Sequence, residues 1–180
     1  MKPHPVDAHR EIVAEMASTW RRLYVHLVWG TKHRLPVIDA SREALIGGMC
    51  RDKAFKQSCE VLAFGAVEDH VHLLVSMHTT ASVAKLVRAM KRATSLEIAR
   101  IDPRDPPFAW QSGYAVLSVD PREAAVLCGY VERQKAHHAE GNTLGNWEPP
   151  LAALDDDPEY TAAPERSEAA PAKSRGRRRG

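Results

Sequence analysis

Four apolar segments with the character of strands are spaced along the central part of the chain. The first, Leu23 to Trp29, is rich in β-branched and aromatic residues and ends at Gly30, a pattern that is typical of a strand. Three further segments of the same kind predict strands over residues 60–67, 70–77 and 114–119.

Segments with helical patterning lie between these strands and after the last one. Apolar residues at helical spacing predict a helix over residues 41–55. Hydroxyl side chains between Thr79 and Ser82 are common helix caps, and they predict a second helix that ends near Arg100. Asp120-Pro121 followed by Glu123 is a strong helix start, so we expect a third helix from there to near Gly141.

The order strand, helix, strand, strand, helix, strand, followed by one extra C-terminal helix, predicts an α+β fold. It is the order of the ferredoxin-like split βαβ sandwich, in which two helices cover one face of a four-stranded antiparallel sheet. Alternation along the third strand turns Val71, Leu73 and Val75 toward those helices and leaves His70 and His72 on the other face. That face stays open unless the extra helix, a partner subunit or a ligand covers it.

Composition and charge set bounds on the kind of protein. The chain has 180 residues, of which 44% are hydrophobic, and it fits one domain with length to spare for tails. Its formal net charge of +2 is too small to argue for nucleic-acid binding by itself. Cys50, Cys59 and Cys128 lack the spacing of a metal site, so we expect free thiols. No apolar run approaches the roughly 20 residues that span a bilayer, and we expect a cytoplasmic protein without membrane contact.

Two pairs of side chains carry candidate chemistry. His70 and His72 share one face of a strand, and Tyr130 and Gln134, four residues apart, share one face of a helix. Either pair alone is common on protein surfaces. Together they make a metal site with a nucleophile beside it, which is the equipment for cutting a phosphodiester by covalent catalysis.

In this order and on these elements, the motifs resemble those of the HUH single-tyrosine transposases of the insertion-sequence 200/605 group. The resemblance covers about residues 20–148 and is carried by Tyr24–Pro36 (YVHLVWGTKHRLP), Asp69–Val75 (DHVHLLV), Ser82–Val87 (SVAKLV), Trp110–Tyr114 (WQSGY) and Tyr130–His138 (YVERQKAHH). It divides the chain into an N-terminal extension (1–18), an IS200-like HUH transposase domain (19–150) and a tail (151–180). The tail is acidic and then basic, and we expect it to be disordered.

The resemblance implies a reaction and a ligand set. It implies that His70, His72 and Gln134 bind Mg²⁺ or Mn²⁺ and that Tyr130 attacks a DNA phosphate, leaving a 5′-phosphotyrosine and a free 3′-hydroxyl. By ligand type alone, two imidazoles suit Mn²⁺ or Zn²⁺ better than Mg²⁺. His138, one turn beyond Gln134, is expected to have a structural or DNA-contacting role rather than to bind the metal.

The resemblance also implies partners. The enzyme would be a homodimer that cleaves and rejoins single-stranded DNA marked by hairpins, without a nucleotide cofactor, because the covalent link conserves the phosphodiester energy. The short connection after the fourth strand favours docking of the tyrosine helix on the histidines of a neighbouring subunit. We expect a closed two-fold interface, the commonest symmetry of homo-oligomers.

Basic residues in two places are candidates for phosphate contacts. Lys32 and Arg34 follow the first strand, and Lys85, Arg88 and Arg92 form a stripe along the second predicted helix. Most such stripes are only solvated helix faces. Since the resemblance implies DNA hairpins, we predict phosphate contacts from these side chains.

Three other functions stay open at this point. A domesticated HUH endonuclease that acts on repeated genomic palindromes would keep the same site. A non-enzymatic nucleic-acid-binding module would use the open sheet face, on which it should display aromatic side chains. A metal-dependent hydrolase would use water, with Tyr130 incidental.

Overall fold

The computed structural model of the chain describes residues 19–103 and 108–154. The strands are β1 (Tyr24–Gly30), β2 (Glu60–Ala66), β3 (His70–Ser76) and β4 (Ala115–Val119). The helices are α1 (Ala40–Phe55), α2 (Val83–Ile101), α3 (Ala124–Glu132) and α4 (Gln134–Glu140), with short 3₁₀ turns at Lys32–Arg34 and Leu151–Leu154. The predicted strands and the first two helices are confirmed to within one or two residues.

The sheet has the strand order β2-β3-β1-β4, and every neighbouring pair is antiparallel. This arrangement confirms the predicted α+β, ferredoxin-like fold. On β3, His72 lies opposite Val28 of β1 and Gly65 of β2. The histidines of β3 therefore project from the interior of the sheet rather than from an edge.

α1 and α2 cover one face of the sheet and form the main core with it. The side chains of Asp39 and Ser82 cap the two helices by accepting backbone N–H bonds. Val71, Leu73 and Val75 of β3 face these helices, as predicted. The helical side chains of this core include Ile46, Cys50, Ala54, Leu86, Val87 and Met90.

α3 covers the opposite face of the same sheet. Leu62 and Leu74 pack there against Leu127 and Val131 in a second apolar cluster. A glycine makes the close approach possible, because a Cβ at Gly65 would lie 2.0 Å from the backbone oxygen of Val131. In this chain α3 is seated on its own sheet, which favours an arrangement within one subunit over the predicted docking on a neighbouring subunit.

The third predicted helix differs at its start and in its middle. Asp120 does not cap it. Its carboxylate accepts hydrogen bonds from the backbone N–H (2.8 Å) and the guanidinium of Arg122, which closes a local turn, and the helix begins at Ala124.

The helix is interrupted at Arg133 (φ −105°, ψ 19°), whose backbone N–H donates to the backbone carbonyl oxygen of Tyr130 at 3.1 Å. This i→i+3 bond tightens the last turn, so one predicted helix is two, α3 and α4.

The folded domain reaches further along the chain than predicted. Leu151 is buried, and the oxygen of Leu154 accepts a hydrogen bond from the Gly113 N–H at 2.9 Å, just before β4. Residues 151–154 therefore belong to the domain and not to the tail. The predicted N-terminal extension, residues 1–18, and the remaining tail, residues 155–180, lie outside the described residues.

Two further predictions concern the cysteines and the membrane. All three cysteines are buried free thiols, as expected. Burial raises the pKa of the Cys50 thiol to about 12, so this side chain packs as a small apolar group. Among the helices of the described residues, none is long and apolar enough to cross a bilayer.

Candidate functional site

Five side chains converge on one point between the sheet and the helices α3 and α4. His70 and His72 project from β3, Tyr130 from α3, Gln134 from the first turn of α4, and Glu148 from the segment after α4. The first four are at most 3% exposed. The fold thus brings together the four residues that the sequence singled out.

Tyr130 is held at both its hydroxyl and its ring. The hydroxyl donates to Glu148 Oε1 at 2.7 Å and accepts from the Leu144 N–H at 3.1 Å. The ring stacks on His137 with 4.5 Å between centroids and contacts Trp147 at 5.0 Å. Burial, together with the hydrogen bond to Glu148, raises the pKa of Tyr130 to about 12. The phenol is therefore protonated at neutral pH and fixed in orientation.

Glu148 stands at the centre of the site, and the sequence carried no signal for it. Its Oε2 lies 3.4 Å from His72 Nε2 and 3.8 Å from His70 Nε2, and its Oε1 accepts a hydrogen bond from the Gln134 amide. Burial alone would raise the pKa of Glu148, but the contacts with His70 and His72 outweigh burial and hold it well below its usual range. The side chain is therefore an ionised carboxylate, which contacts a phenol, an amide and two imidazoles.

His70 Nδ1, the ring nitrogen directed away from the cluster, is hydrogen-bonded to the ion pair of Asp69 and Arg34. This nitrogen donates to Asp69 Oδ1 at 2.7 Å, and Asp69 Oδ2 pairs with Arg34 Nε at 2.9 Å. Burial would lower the pKa of His70, but the hydrogen bond with Asp69 and the nearby carboxylate of Glu148 outweigh it, so the pKa is raised. In the neutral ring, the proton on Nδ1 is the one donated to Asp69, so the lone pair of Nε2 points into the cluster.

His72 Nδ1, the ring nitrogen directed away from the cluster, contacts a second histidine, His26, to which no sequence pattern assigned a role. His26 of β1 lies across the strand pair, with its Nε2 3.0 Å from His72 Nδ1. His26 is fully buried, and burial lowers its pKa to about 3, so its ring is neutral. In the tautomer in which His72 Nδ1–H donates to His26 Nε2, His72 Nε2 presents its lone pair to the cluster, where the Gln134 amide nitrogen lies 3.0 Å from it.

The residues fit a divalent cation. Two atoms of the expected ligand set, His70 Nε2 and Gln134 Oε1, are buried without a hydrogen-bond partner among the residues that the structure describes. Buried polar atoms without partners are rare and call for an explanation such as a bound ion. Imidazole nitrogen and amide oxygen are both known metal ligands. Ligand atoms of His70, His72, His138 and Glu148 lie within 4.8 Å of one another.

His138 is closer to this cluster than expected. Its ring contacts that of His70 with 4.9 Å between centroids, and its Nε2 lies 3.8 Å from Glu148 Oε1. The turn of α4 that begins at Gln134 carries it there. The position makes His138 a candidate ligand, and the expectation of a role away from the metal has no support in its placement.

The predicted DNA contacts are divided between the two faces of the sheet. Lys85, Arg88 and Arg92 are exposed on α2, which packs on the face opposite the site, so the fold does not bring them to Tyr130. Lys32 is exposed beside β1, and Arg34 takes part in the Asp69 pair next to His70. Phosphate contacts from these side chains stay a prediction.

Most of the domain matches a known protein family. The family model described as "Transposase IS200 like" matches residues 19–134. The chain is also similar to the ISDra2 transposase TnpA of Deinococcus radiodurans, with 27% identity over 118 residues that make up 63% of this chain and 84% of the relative.

Two solved structures share the architecture. A crystal structure of a candidate transposase from Deinococcus radiodurans R1 has a TM-score of 0.54 and 22% identity, and covers 73% of this chain and 98% of that one. A REP-associated tyrosine transposase bound to a REP hairpin has a TM-score of 0.52 and 11% identity, with coverages of 75% and 93%. At these identities the likeness shows a common fold.

Proposed function

This chain belongs to the IS200-like transposase family, and from that premise we propose that it cleaves and rejoins single-stranded DNA with Tyr130 as the nucleophile. One observation carries the proposal: the Tyr130 hydroxyl, the Gln134 amide and the imidazoles of His70 and His72 surround a single carboxylate. A phenol is a poor nucleophile unless it is activated and aligned. The hydrogen bonds of the Tyr130 hydroxyl supply the alignment, and a cation held by these residues would activate the phosphate that the phenol attacks.

His70, His72 and Gln134 would hold the divalent cation, Mg²⁺ or Mn²⁺. All three side chains are neutral as ligands, so the ion would keep its double charge and polarise a DNA phosphate as a Lewis acid. Asp69 and His26 hold the outer nitrogens of the two histidines, and this support keeps both Nε2 atoms directed at the cluster.

Tyr130 would supply the attacking oxygen. Its Oη forms a bond to phosphorus while the bond between phosphorus and the 3′ oxygen breaks. Glu148 Oε1 accepts the hydrogen bond of the phenol and orients it. The phenolic proton passes by way of solvent to the departing 3′ oxygen, so cleavage leaves a 5′-phosphotyrosine and a 3′-hydroxyl. Joining reverses the step: a 3′-hydroxyl attacks the phosphotyrosine and releases Tyr130, which requires no ATP.

The substrate would be single-stranded DNA that folds into hairpins, and the active enzyme a homodimer. A hairpin substrate is supported by the REP-associated transposase of like fold, which is bound to a REP hairpin. Lys32 is exposed in the 3₁₀ turn that also carries Arg34, next to the site, and would contact a phosphate there.

The alternatives differ in how well they suit the site. A domesticated endonuclease would use the same residues, and hairpin ends that flank the gene would distinguish a mobile element from it. The nucleic-acid-binding module requires aromatics on an open sheet face, but α3 covers that face and the β1 aromatics Tyr24 and Trp29 are buried. A hydrolase that uses water would give the Tyr130 hydroxyl no role, yet this hydroxyl is directed at the central carboxylate.

A covalent adduct tests the proposal. The purified chain is incubated with single-stranded oligonucleotides that carry the hairpins found in DNA flanking its coding sequence, in Mn²⁺ and in EDTA. We expect an SDS-resistant protein–DNA adduct and a free 3′-hydroxyl product in Mn²⁺ only. Cleaved DNA without an adduct would instead point to hydrolysis by water.

A further inference from the structure

We propose that Glu148 is a fourth ligand of the cation, the one with a negative charge, and that the same carboxylate holds the hydroxyl of Tyr130. This inference rests on the proposed function of the site. It goes beyond that function because the family resemblance supplies only His70, His72 and Gln134 as ligands. Glu148 also lies after residue 134, where the match to the family model ends.

The two oxygens of Glu148 face different groups. Oε1 accepts the hydrogen bonds from the Tyr130 hydroxyl and the Gln134 amide. Oε2 faces the Nε2 atoms of His72 and His70, at 3.4 Å and 3.8 Å. A carboxylate in this position can bind an ion through one oxygen and orient a nucleophile through the other.

The distances suit a shared ion. Nitrogen and oxygen ligands lie about 2.1 Å from Mg²⁺ or from Zn²⁺. Two ligands of one ion therefore lie at most about 4.2 Å apart, and both contacts of Glu148 Oε2 with the histidines fall within that limit. The Nε2 atom of His70 is one of the buried atoms without a hydrogen-bond partner among the described residues.

Charge gives an independent reason. The Glu148 side chain is only 18% exposed, and a carboxylate removed from water needs compensation by an opposite charge or by strong hydrogen bonds. Among the described residues, its ionic contacts are with His70, His72 and His138. Arg34, the nearby guanidinium, is paired with Asp69. Oε1 is compensated by the hydrogen bonds from Tyr130 and Gln134, whereas the contacts of Oε2 are with imidazoles, and a divalent cation between Oε2 and those rings would supply a positive charge there.

The segment that carries Glu148 packs directly on Tyr130, the proposed nucleophile. The backbone N–H of Leu144 donates to the Tyr130 hydroxyl, and the ring of Trp147 packs on the Tyr130 ring. The carboxylate is thus held where it meets both the phenol and the histidines. One consequence is that cation binding and the orientation of Tyr130 are coupled. Another is that a carboxylate oxygen shifts the ligand set toward Mg²⁺ and Mn²⁺, which imidazoles alone favour less.

The test measures metal binding in the DNA-free full-length chain. Mn²⁺ is titrated by calorimetry into the wild type, Glu148→Gln, Glu148→Asp and the matched control Glu140→Gln, which removes an exposed charge from the end of α4. We expect Glu148→Gln to weaken Mn²⁺ binding about tenfold or more, since removal even of groups behind the ligands has effects of this size. Glu148→Asp should retain more of the affinity, and Glu140→Gln all of it. Melting curves recorded in EDTA show that the variants are folded.

The outcomes separate this inference from the proposed function. Wild-type Mn²⁺ affinity in folded Glu148→Gln, with adduct formation as fast as or faster than in the wild type, would overturn the ligand assignment. The carboxylate would then occupy the place of a DNA phosphate, and the proposed function would stand. Weakened Mn²⁺ binding in Glu148→Gln supports the assignment even if the wild type forms no adduct, a result that would instead count against the proposed reaction.

Discussion

Gly65→Ala tests how the helix that carries Tyr130 is seated. The added methyl group would lie 2.0 Å from the backbone oxygen of Val131 and 3.2 Å from Gln134 Cβ. Real Cβ atoms are essentially never closer than 3.0 Å to such an atom. The backbone between Val131 and Gln134 must therefore retreat by about 1 Å, the difference between the required and the available distance.

That displacement directly affects the proposed nucleophile and the proposed metal ligand on the same segment. Tyr130 immediately precedes Val131, and Gln134 faces His72, which lies opposite Gly65 in the strand register. A misplacement of about 1 Å at a catalytic group can lower a rate about a hundredfold. Overpacking of this kind also destabilises a fold by about 1–3 kcal/mol. We expect adduct formation to slow about a hundredfold in a protein that still folds.

Adduct formation on a hairpin oligonucleotide is followed in time, and the free energy of unfolding is measured in urea. Gly48→Ala is the matched control, because a Cβ at that exposed position in α1 meets no atom within 4 Å. It should leave the rate unchanged and favour the helix slightly. Wild-type rate and stability in Gly65→Ala would refute the seating of α3 on its own β2.

Three further predictions address the site. Tyr130→Phe should abolish the adduct and leave hairpin binding intact, because only the hydroxyl is lost; a remaining 5′-linked adduct would assign the nucleophile elsewhere. His26→Phe removes the acceptor for His72 Nδ1 and should weaken Mn²⁺ binding about 10–100-fold, and unchanged calorimetric affinity would contradict its role. In heterodimers of Tyr130→Phe with His70→Ala/His72→Ala we expect no cleavage, because Tyr130 sits against the histidines of its own chain; recovered cleavage would show that the tyrosine acts in trans.

The start of α3 illustrates how a local signal can be overridden. Asp120, Pro121 and Glu123 match the preferences of a helix start. In the fold the Asp120 carboxylate binds Arg122 instead, and the helix begins at Ala124. The Asp120 carboxylate could bind either the first turn of the helix or Arg122. The geometry of the connection to β4 determines which of the two it binds, and local propensity contains no information on that geometry.

Local patterning determined the strands, the first two helices and the direction of the β3 side chains, because alternation and helical periodicity depend only on near neighbours in the chain. It also placed His70 and His72 on one face. Only the tertiary structure decided that α3 covers that face, that His26 supports His72, and that Glu148 joins the site. Those contacts link residues far apart in sequence, and an isolated glutamate between Trp147 and Pro149 has no periodicity that could indicate its partner.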